Sequence, residues 1–211
     1  MGDFWAILST IGLGYLIGSL SFSVWVAKLY QVNIFEVGSG NPGATNVKRE
    51  VSKFAGNLVF FLDFAKGIIA VSIAMILYPD IISTFAIGCF GLLGGLIGHS
   101  YSFLIGFRGG KGVATSMGGL LMLVPAVLLT GIVLWIILFY STRYVSIASI
   151  GFGISLPITG MVQLQIFPES KLSIYSILVL LLLTLAILIL HRTNIQRLLN
   201  GTENKFNKSR V

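Results

Sequence analysis

Three polar segments interrupt an otherwise apolar sequence, and each carries residue types suited to holding an anion. The first, GSGNPGATNVKR, runs from Gly38 to Arg49. Its glycines, Gly38, Gly40 and Gly43, permit tight turns that expose backbone N–H groups, an arrangement that cradles phosphate. Ser39, Asn41, Thr45 and Asn46 add neutral hydrogen-bonding groups, and Arg49 adds a forked cation that matches phosphate oxygens. The second, GFRGGKGVATSMG, runs from Gly106 to Gly118 and sets Lys111 among Gly109, Gly110 and Gly112 at the expected start of a helix. Free N–H groups and the helix dipole favour an anion there, and Thr115 and Ser116 fall on the first turns. The third, HRTNIQRLLNGTENK from His191 to Lys205, places His191, Asn194 and Arg197 at i, i+3 and i+6, roughly one helix face.

Two familiar nucleotide signatures are excluded. Gly38, Gly40 and Gly43 match G-x-G-x-x-G literally, but that pattern has meaning only between a strand and a helix, and here it lies between apolar spans. The second segment lacks a glycine five positions before Gly110, and Gly112 stands where a P-loop needs Ser or Thr. The anion-holding physics survives both exclusions. A solvated loop needs less Gly, Asn and Ser than the first segment carries. His191 alone reads as an interfacial residue that snorkels; beside Asn194 and two anion loops it reads as a site residue. Asp63 and Lys66, at i and i+3 within an apolar run, either mark function at depth or neutralise each other as a packing pair, and the sequence leaves both open. In RYVSIAS, Arg143 with Ser146 and Ser149 marks an interface, and Ser146 falls on the same side as the three segments.

These residues must be held by membrane helices. The chain has 211 residues, 55% hydrophobic and only 10% charged, with a mean hydropathy of +0.94. That excludes a water-soluble globule and also disorder, which needs few apolar and many charged residues. The formal charge of +7 then reports orientation and an anionic ligand, with no nucleic acid implied. Cys89 is the single cysteine, so no internal disulfide forms. Apolar runs of about the 20 residues a bilayer requires lie at Phe4–Ala27, Ala55–Tyr78, Ile81–Ile105, Val113–Ser141, Tyr144–Phe167 and Leu172–Leu190. The first follows Asp3 without a basic region or evident cleavage site, and is read as a permanent span.

Basic residues set the topology. Lys28, Lys48, Arg49 and Lys53 flank the first loop, Arg108 and Lys111 the second, and Arg192, Arg197, Lys205, Lys208 and Arg210 the tail, whereas the Pro79–Asp80 turn has none. All three basic regions are expected in the cytoplasm. Parity then splits Val113–Ser141 into two short spans meeting near Pro125, one of them partial, since about 29 residues make only about 44 Å of helix. The expectation is an all-α integral membrane protein of about seven spans, N-terminus outside and C-terminus cytoplasmic. Residues 1–211 form one polytopic domain, with motif loops at about 31–54, 106–118 and 191–205 and a polar tail at about 204–211. Gly91, Gly94, Gly95 and Gly98 are read as a close helix contact.

In order along the chain, GSGNPGATNVKR, FLDFAKG, GFRGGKGVAT, RYVSIAS and HRTNIQRLLNGTENK resemble the bacterial acyl-phosphate:glycerol-3-phosphate acyltransferase family, PlsY. The likeness covers essentially the whole chain. It departs at Ser102, where the family usually has proline shortly after the Gly98–His99 pair. The resemblance implies transfer of a fatty acyl group from acyl-phosphate to the 1-hydroxyl of glycerol 3-phosphate, giving lysophosphatidic acid and phosphate. It further implies a multi-pass protein of the bacterial inner membrane, its site facing the cytoplasm and coupled to the acyl-phosphate-forming enzyme. Neither His99 nor His191 has Asp at the offset of the H-x-x-x-x-D acyltransferases, in agreement with a separate family.

Both substrates carry phosphate, so cations and N–H groups matter more than a nucleophile, and no activated Ser, Cys or Ser-His-Asp set is evident. Direct attack without an acyl-enzyme follows, with no cofactor and no metal called for. The expected catalytic residues are Ser39, Arg49, Lys111, His191 and Asn194. Phosphate and substrate contacts are expected from Gly38, Gly40, Asn41, Gly43, Thr45, Asn46, Lys66, Gly109, Gly110, Gly112, Thr115, Ser146 and Arg197. A transporter of an anionic phosphorylated metabolite is the alternative, and the clustering of every polar motif on one side argues against it.

Overall fold

A computed structural model of the protein describes residues 2–79, 83–167 and 172–206. Its regular structure is α-helical: α1 Gly2–Gly18, α2 Phe22–Leu29, α3 Ala44–Glu50, α4 Lys53–Leu77, α5 Thr84–Ser100, α6 Val113–Leu123, α7 Pro125–Thr142, α8 Val145–Ile166, α9 Ile174–Leu190 and α10 Arg192–Leu199. Each apolar run read from the sequence carries an α-helix, the third only over Thr84–Ser100 of its described residues. The first is broken between α1 and α2, and the fourth is broken before Pro125, which opens α7. Proline is tolerated at a helix start because its missing N–H would be unsatisfied there in any case. The turns expected around Asp80 and at residues 168–171, and the tail beyond residue 206, lie outside the described residues.

Among the described residues, four helical segments are long and apolar enough to cross a membrane: Asp3–Leu29, Lys53–Leu77, Pro125–Thr142 and Val145–Ile166. The pair α9 and α10, bent by 57°, makes a fifth candidate, while α5 and α6 are apolar but shorter. Large apolar side chains such as Phe61, Ile76, Leu129 and Leu182 are exposed along these helices, as a lipid-facing surface requires. This is an all-helical integral membrane fold with four to five candidate spans.

The chain divides into two compact units, Met1–Leu123 and Val124–Ser209. In the first, α1 lies along α5 with backbones in contact. A Cβ on Gly14 would strike the Gly91 carbonyl, one on Gly94 the Ile11 carbonyl, and one on Gly98 the Tyr15 carbonyl. Lipid offers no hydrophobic drive between helices, so this close packing is what holds them together. Helix α4 forms the platform beneath the two loops of this unit. Its Gly67 faces the Thr115 carbonyl of α6, Gly118 of α6 faces the Phe64 carbonyl in return, and Gly56 seats α3 against the Lys48 backbone. Val26, Ala27, Ile34, Val47, Ala55 and Val59 close a small core under the first loop.

In the second unit α7, α8 and α9 pack in sequence. Thr184 Oγ1 of α9 donates to the Gly153 carbonyl of α8 at 2.7 Å, and Trp135 Nε1 of α7 donates to Ser149 Oγ of α8 at 3.3 Å. The chain after α10 returns to this unit, where the Phe206 N–H donates to the Arg143 carbonyl.

Candidate active site

The first unit brings the first two polar segments side by side. The loop from Gly38 is organised by Asn46, which is 2% exposed. Its Nδ2 donates to the Ile34 and Val37 carbonyls at 3.2 and 3.0 Å, and its Oδ1 accepts from the Ser39 N–H at 3.0 Å. Asn46 thus shapes the loop from within. Gly38 and Gly40 adopt left-handed backbone at φ +58° and +67°, which lets the chain turn twice within three residues. Ser39, Asn41, Thr45 and Arg49 line the result, all half-buried, with Arg49 in the last turn of α3.

The second loop is pinned at Ser102. Its hydroxyl donates to the Ser19 carbonyl at 2.6 Å, and its N–H donates to the Arg108 carbonyl at 3.2 Å. Proline at this position would make neither bond, so this chain closes the loop by its own means. The loop then crosses to the first one. The Arg108 guanidinium lies 3.9 Å from the Phe35 ring centre, and a Cβ on Gly110 would approach the Pro42 carbonyl to 3.0 Å. Gly112, at φ +70°, makes the turn into α6 that a side chain would strain. Lys111 is therefore held at the mouth of α6, half-buried, as its glycine setting predicts. Thr115 and Ser116 are fully buried, with no hydrogen-bond partner for either hydroxyl among the described residues.

Beneath these loops lies an ion pair. Asp63 Oδ1 and Lys66 Nζ are 2.9 Å apart, and Lys66 Nζ also donates to the Leu20 carbonyl at 2.9 Å in the break between α1 and α2. His99, absent from the sequence reading as a site residue, joins the pair with Nδ1 3.6 Å from the same Asp63 oxygen. The Lys66 side chain is 3% exposed, its ammonium engaged by these protein groups.

The second unit holds the third segment. His191 ends α9 and opens α10, so it sits at the 57° bend between them. The imidazole is buried, and Nδ1 lies 2.8 Å from the Ile187 carbonyl. A carbonyl only accepts, so Nδ1 carries the proton and Nε2 is the acceptor. Asn194 Nδ2 donates to Glu203 Oε1 at 2.7 Å, and Arg197 Nε donates to Glu203 Oε2 at 2.8 Å. Asn194 and Arg197 therefore share a face of α10, as their spacing predicts.

Glu203 was not legible as a site residue, although a lone carboxylate in a basic tail was the available signal. Burial works to raise its carboxyl, but the bonds from Arg197 and Asn194, the nearby Ser146 hydroxyl and the Arg197 charge outweigh it and hold the group below its ordinary 4.5. The Ser146 hydroxyl is itself buried without a hydrogen bond of full geometry. Because the folded-state value is depressed, this clasp contributes its full stability above the ordinary value and loses it as the pH falls through the folded one. Glu203→Gln is expected to flatten the fall in thermal stability between about pH 6 and pH 3. A melting profile of the variant parallel to that of the parent would remove Glu203 as its source. No cluster of three or more His, Cys, Asp or Glu side chains able to hold a metal occurs among the described residues.

Known proteins resemble this chain over most of its length. The sequence pattern of the family described as glycerol-3-phosphate acyltransferase matches residues 8–201. The chain belongs to this family. Among acyltransferase relatives, that of Aquifex aeolicus (strain VF5) is 40% identical over 197 residues, covering 91% of this chain and 95% of its own. That of Neisseria meningitidis serogroup C is 39% identical over 205 residues, covering 96% and 98%. A crystal structure of PlsY, an integral membrane glycerol 3-phosphate acyltransferase in its glycerol 3-phosphate form, superposes with a TM-score of 0.85 at 38% identity, covering 95% of this chain and 96% of that one. Its lysophosphatidic acid form gives 0.82.

Proposed function

We infer that this acyltransferase moves a fatty acyl group from acyl-phosphate to the 1-hydroxyl of glycerol 3-phosphate. The observation that carries the reading is the junction of the two glycine-rich loops, which sets Lys111, Ser39 and Arg49 on adjoining segments of one unit. Such a surface suits a reaction in which both substrates, and the leaving group, are phosphates. The hydroxyl oxygen attacks the acyl carbonyl carbon, the bond from that carbon to the phosphate oxygen breaks, and the hydroxyl proton passes to the departing phosphate. Lysophosphatidic acid and inorganic phosphate result.

Arg49, Lys111 and the Ser39 hydroxyl serve to hold phosphate, helped by the turns that Gly38, Gly40, Asn41, Gly43, Gly109, Gly110 and Gly112 build and by Thr45 and Thr115. The N–H groups of Gly40, Asn41 and Gly43 donate within the first loop and that of Gly110 to the His99 carbonyl, and these bonds shape the loops. His191 and Asn194 serve to align the polyol, with Ser146 and Arg197 supporting them. Asn46 and Lys66 act through the loop and the ion pair they organise. The same reading places about seven spans in the bacterial inner membrane, N-terminus outside, with the reaction on the cytoplasmic side. A reactive acyl-phosphate supplied by the enzyme that forms it fits that placement.

Protein reconstituted in vesicles with acyl-phosphate and labelled glycerol 3-phosphate is expected to make a labelled lysolipid. Uptake of label without new lipid would instead mark a transporter. A cysteine introduced near Asn204 is expected to react only from the cytoplasmic face and one near Asp80 only from the other; labelling of both from one face would overturn the orientation.

A further inference from the structure

We propose that His99 is a positioning residue for acyl transfer, a post that holds the glycine loop around Lys111 in register. The proposal rests on the reading of that loop as a phosphate cradle, and its grounds are steric. Three glycines of the loop, Gly109, Gly110 and Gly112, are moulded on the end of α5. The Gly110 N–H donates to the His99 carbonyl at 3.1 Å, and a Cβ on Gly109 would strike that same carbonyl. A Cβ on Gly110 would strike the imidazole at Nε2, and one on Gly112 would strike Leu96 one turn below. Gly110 is thus clamped between the His99 ring and the Pro42 carbonyl of the first loop.

The ring in turn is confined. It is 9% exposed, and Asp63 lies on its Nδ1 side. Asp63 is itself tied through Lys66 to the Leu20 carbonyl. At 3.6 Å the Asp63 carboxylate is beyond hydrogen-bond reach of Nδ1, so it confines the ring on that side by packing and charge. The ion pair therefore acts on the loop through one imidazole, at the residue next to Lys111. This gives a purpose to a pair of charges that is costly to bury, and it explains why Gly110 carries no side chain although its φ is not among the left-handed ones.

The test is a steric exchange in the full-length protein reconstituted in bilayers, with KM for each substrate and kcat measured. Gly110→Ala is expected to raise KM for a phosphate-bearing substrate by on the order of ten- to a hundredfold, since its methyl displaces the loop. His99→Ala is expected to raise the same KM with a smaller change in kcat. Combining them removes the ring that the methyl strikes, so the double variant is expected to recover most of the Gly110→Ala loss, limited by the Pro42 carbonyl. A general structural role would not produce recovery from two damaging changes. If His99→Ala fails to insert, His99→Asn takes its place, because asparagine keeps a donor toward Asp63 while vacating the space beside Gly110. Unchanged constants in the His99 variants, or a double variant no better than Gly110→Ala, would overturn the proposal even while Lys111→Ala remains defective. If Lys111→Ala and Gly110→Ala are both as active as the parent, the phosphate reading of the loop fails and the proposal falls with it.

Discussion

Lys111→Ala, in protein that inserts and melts like the parent, is expected to lower kcat/KM for acyl transfer by about 30- to 1,000-fold. That is the equivalent of about 2–4 kcal/mol of lost transition-state stabilisation. The argument is one of charge. Phosphate departs from the acyl carbon as that bond breaks, and negative charge accumulates on its oxygens during the step. A cation held in place responds to that gain more strongly than to the ground state, so its loss reaches kcat as well as KM. Lys111 stands at the start of α6 because Gly112, at φ +70°, turns the chain into that helix immediately after it. Arg49→Ala is expected to act in the same range. Arg49→Lys is expected to restore only part of the activity, since an ammonium lacks the planar fork. Kinetics of each variant against both substrates decides the matter, and near-normal constants would remove the residue concerned from the site.

Much of this protein was legible because the bilayer simplifies the code. A span must be long, apolar and internally hydrogen-bonded, so the helical runs announce themselves. Pro125 shows how far this goes: parity of the basic loops demanded a break in the run Val113–Ser141, and α6 ends two residues before that proline. Lys111 was equally readable, as its glycines and the apolar run after it mark a helix start. What stayed hidden depends on contacts across many residues. Nothing local tells Asn46 apart from Asn41, yet Asn46 organises the loop around three backbone groups. His99 lies 36 positions beyond Asp63 and meets it only once α4 and α5 pack. Glu203 is separated from Asn194 by nine residues and from helical spacing by the turn after α10, so periodicity did not connect them. The Asp63–Lys66 pair, which the sequence left open between function and packing, joins His99 in one buried network beneath the loops.

His191→Asn separates two ways of removing the glycerol proton, and it is expected to retain kcat within about tenfold of the parent while raising KM. The Ile187 carbonyl, 2.8 Å from Nδ1, orients the ring. That bond makes Nε2 the acceptor nitrogen of a neutral ring. A general base must also carry the charge it gains. A backbone carbonyl is neutral and offers an imidazolium far less than a carboxylate would. The carboxylate Glu203 is already engaged by Arg197 and Asn194. Proton transfer to the phosphate, which gains basicity as it leaves, avoids creating a buried cation on His191. Asparagine accepts a hydrogen bond but takes no proton at neutral pH, so it preserves alignment and abolishes basicity. His191→Ala is expected to lose about 10- to 100-fold more in kcat/KM than His191→Asn, because it removes the alignment as well. A collapse of kcat by about 10²–10⁴ in His191→Asn with normal KM would overturn the substrate-assisted route and make His191 the base.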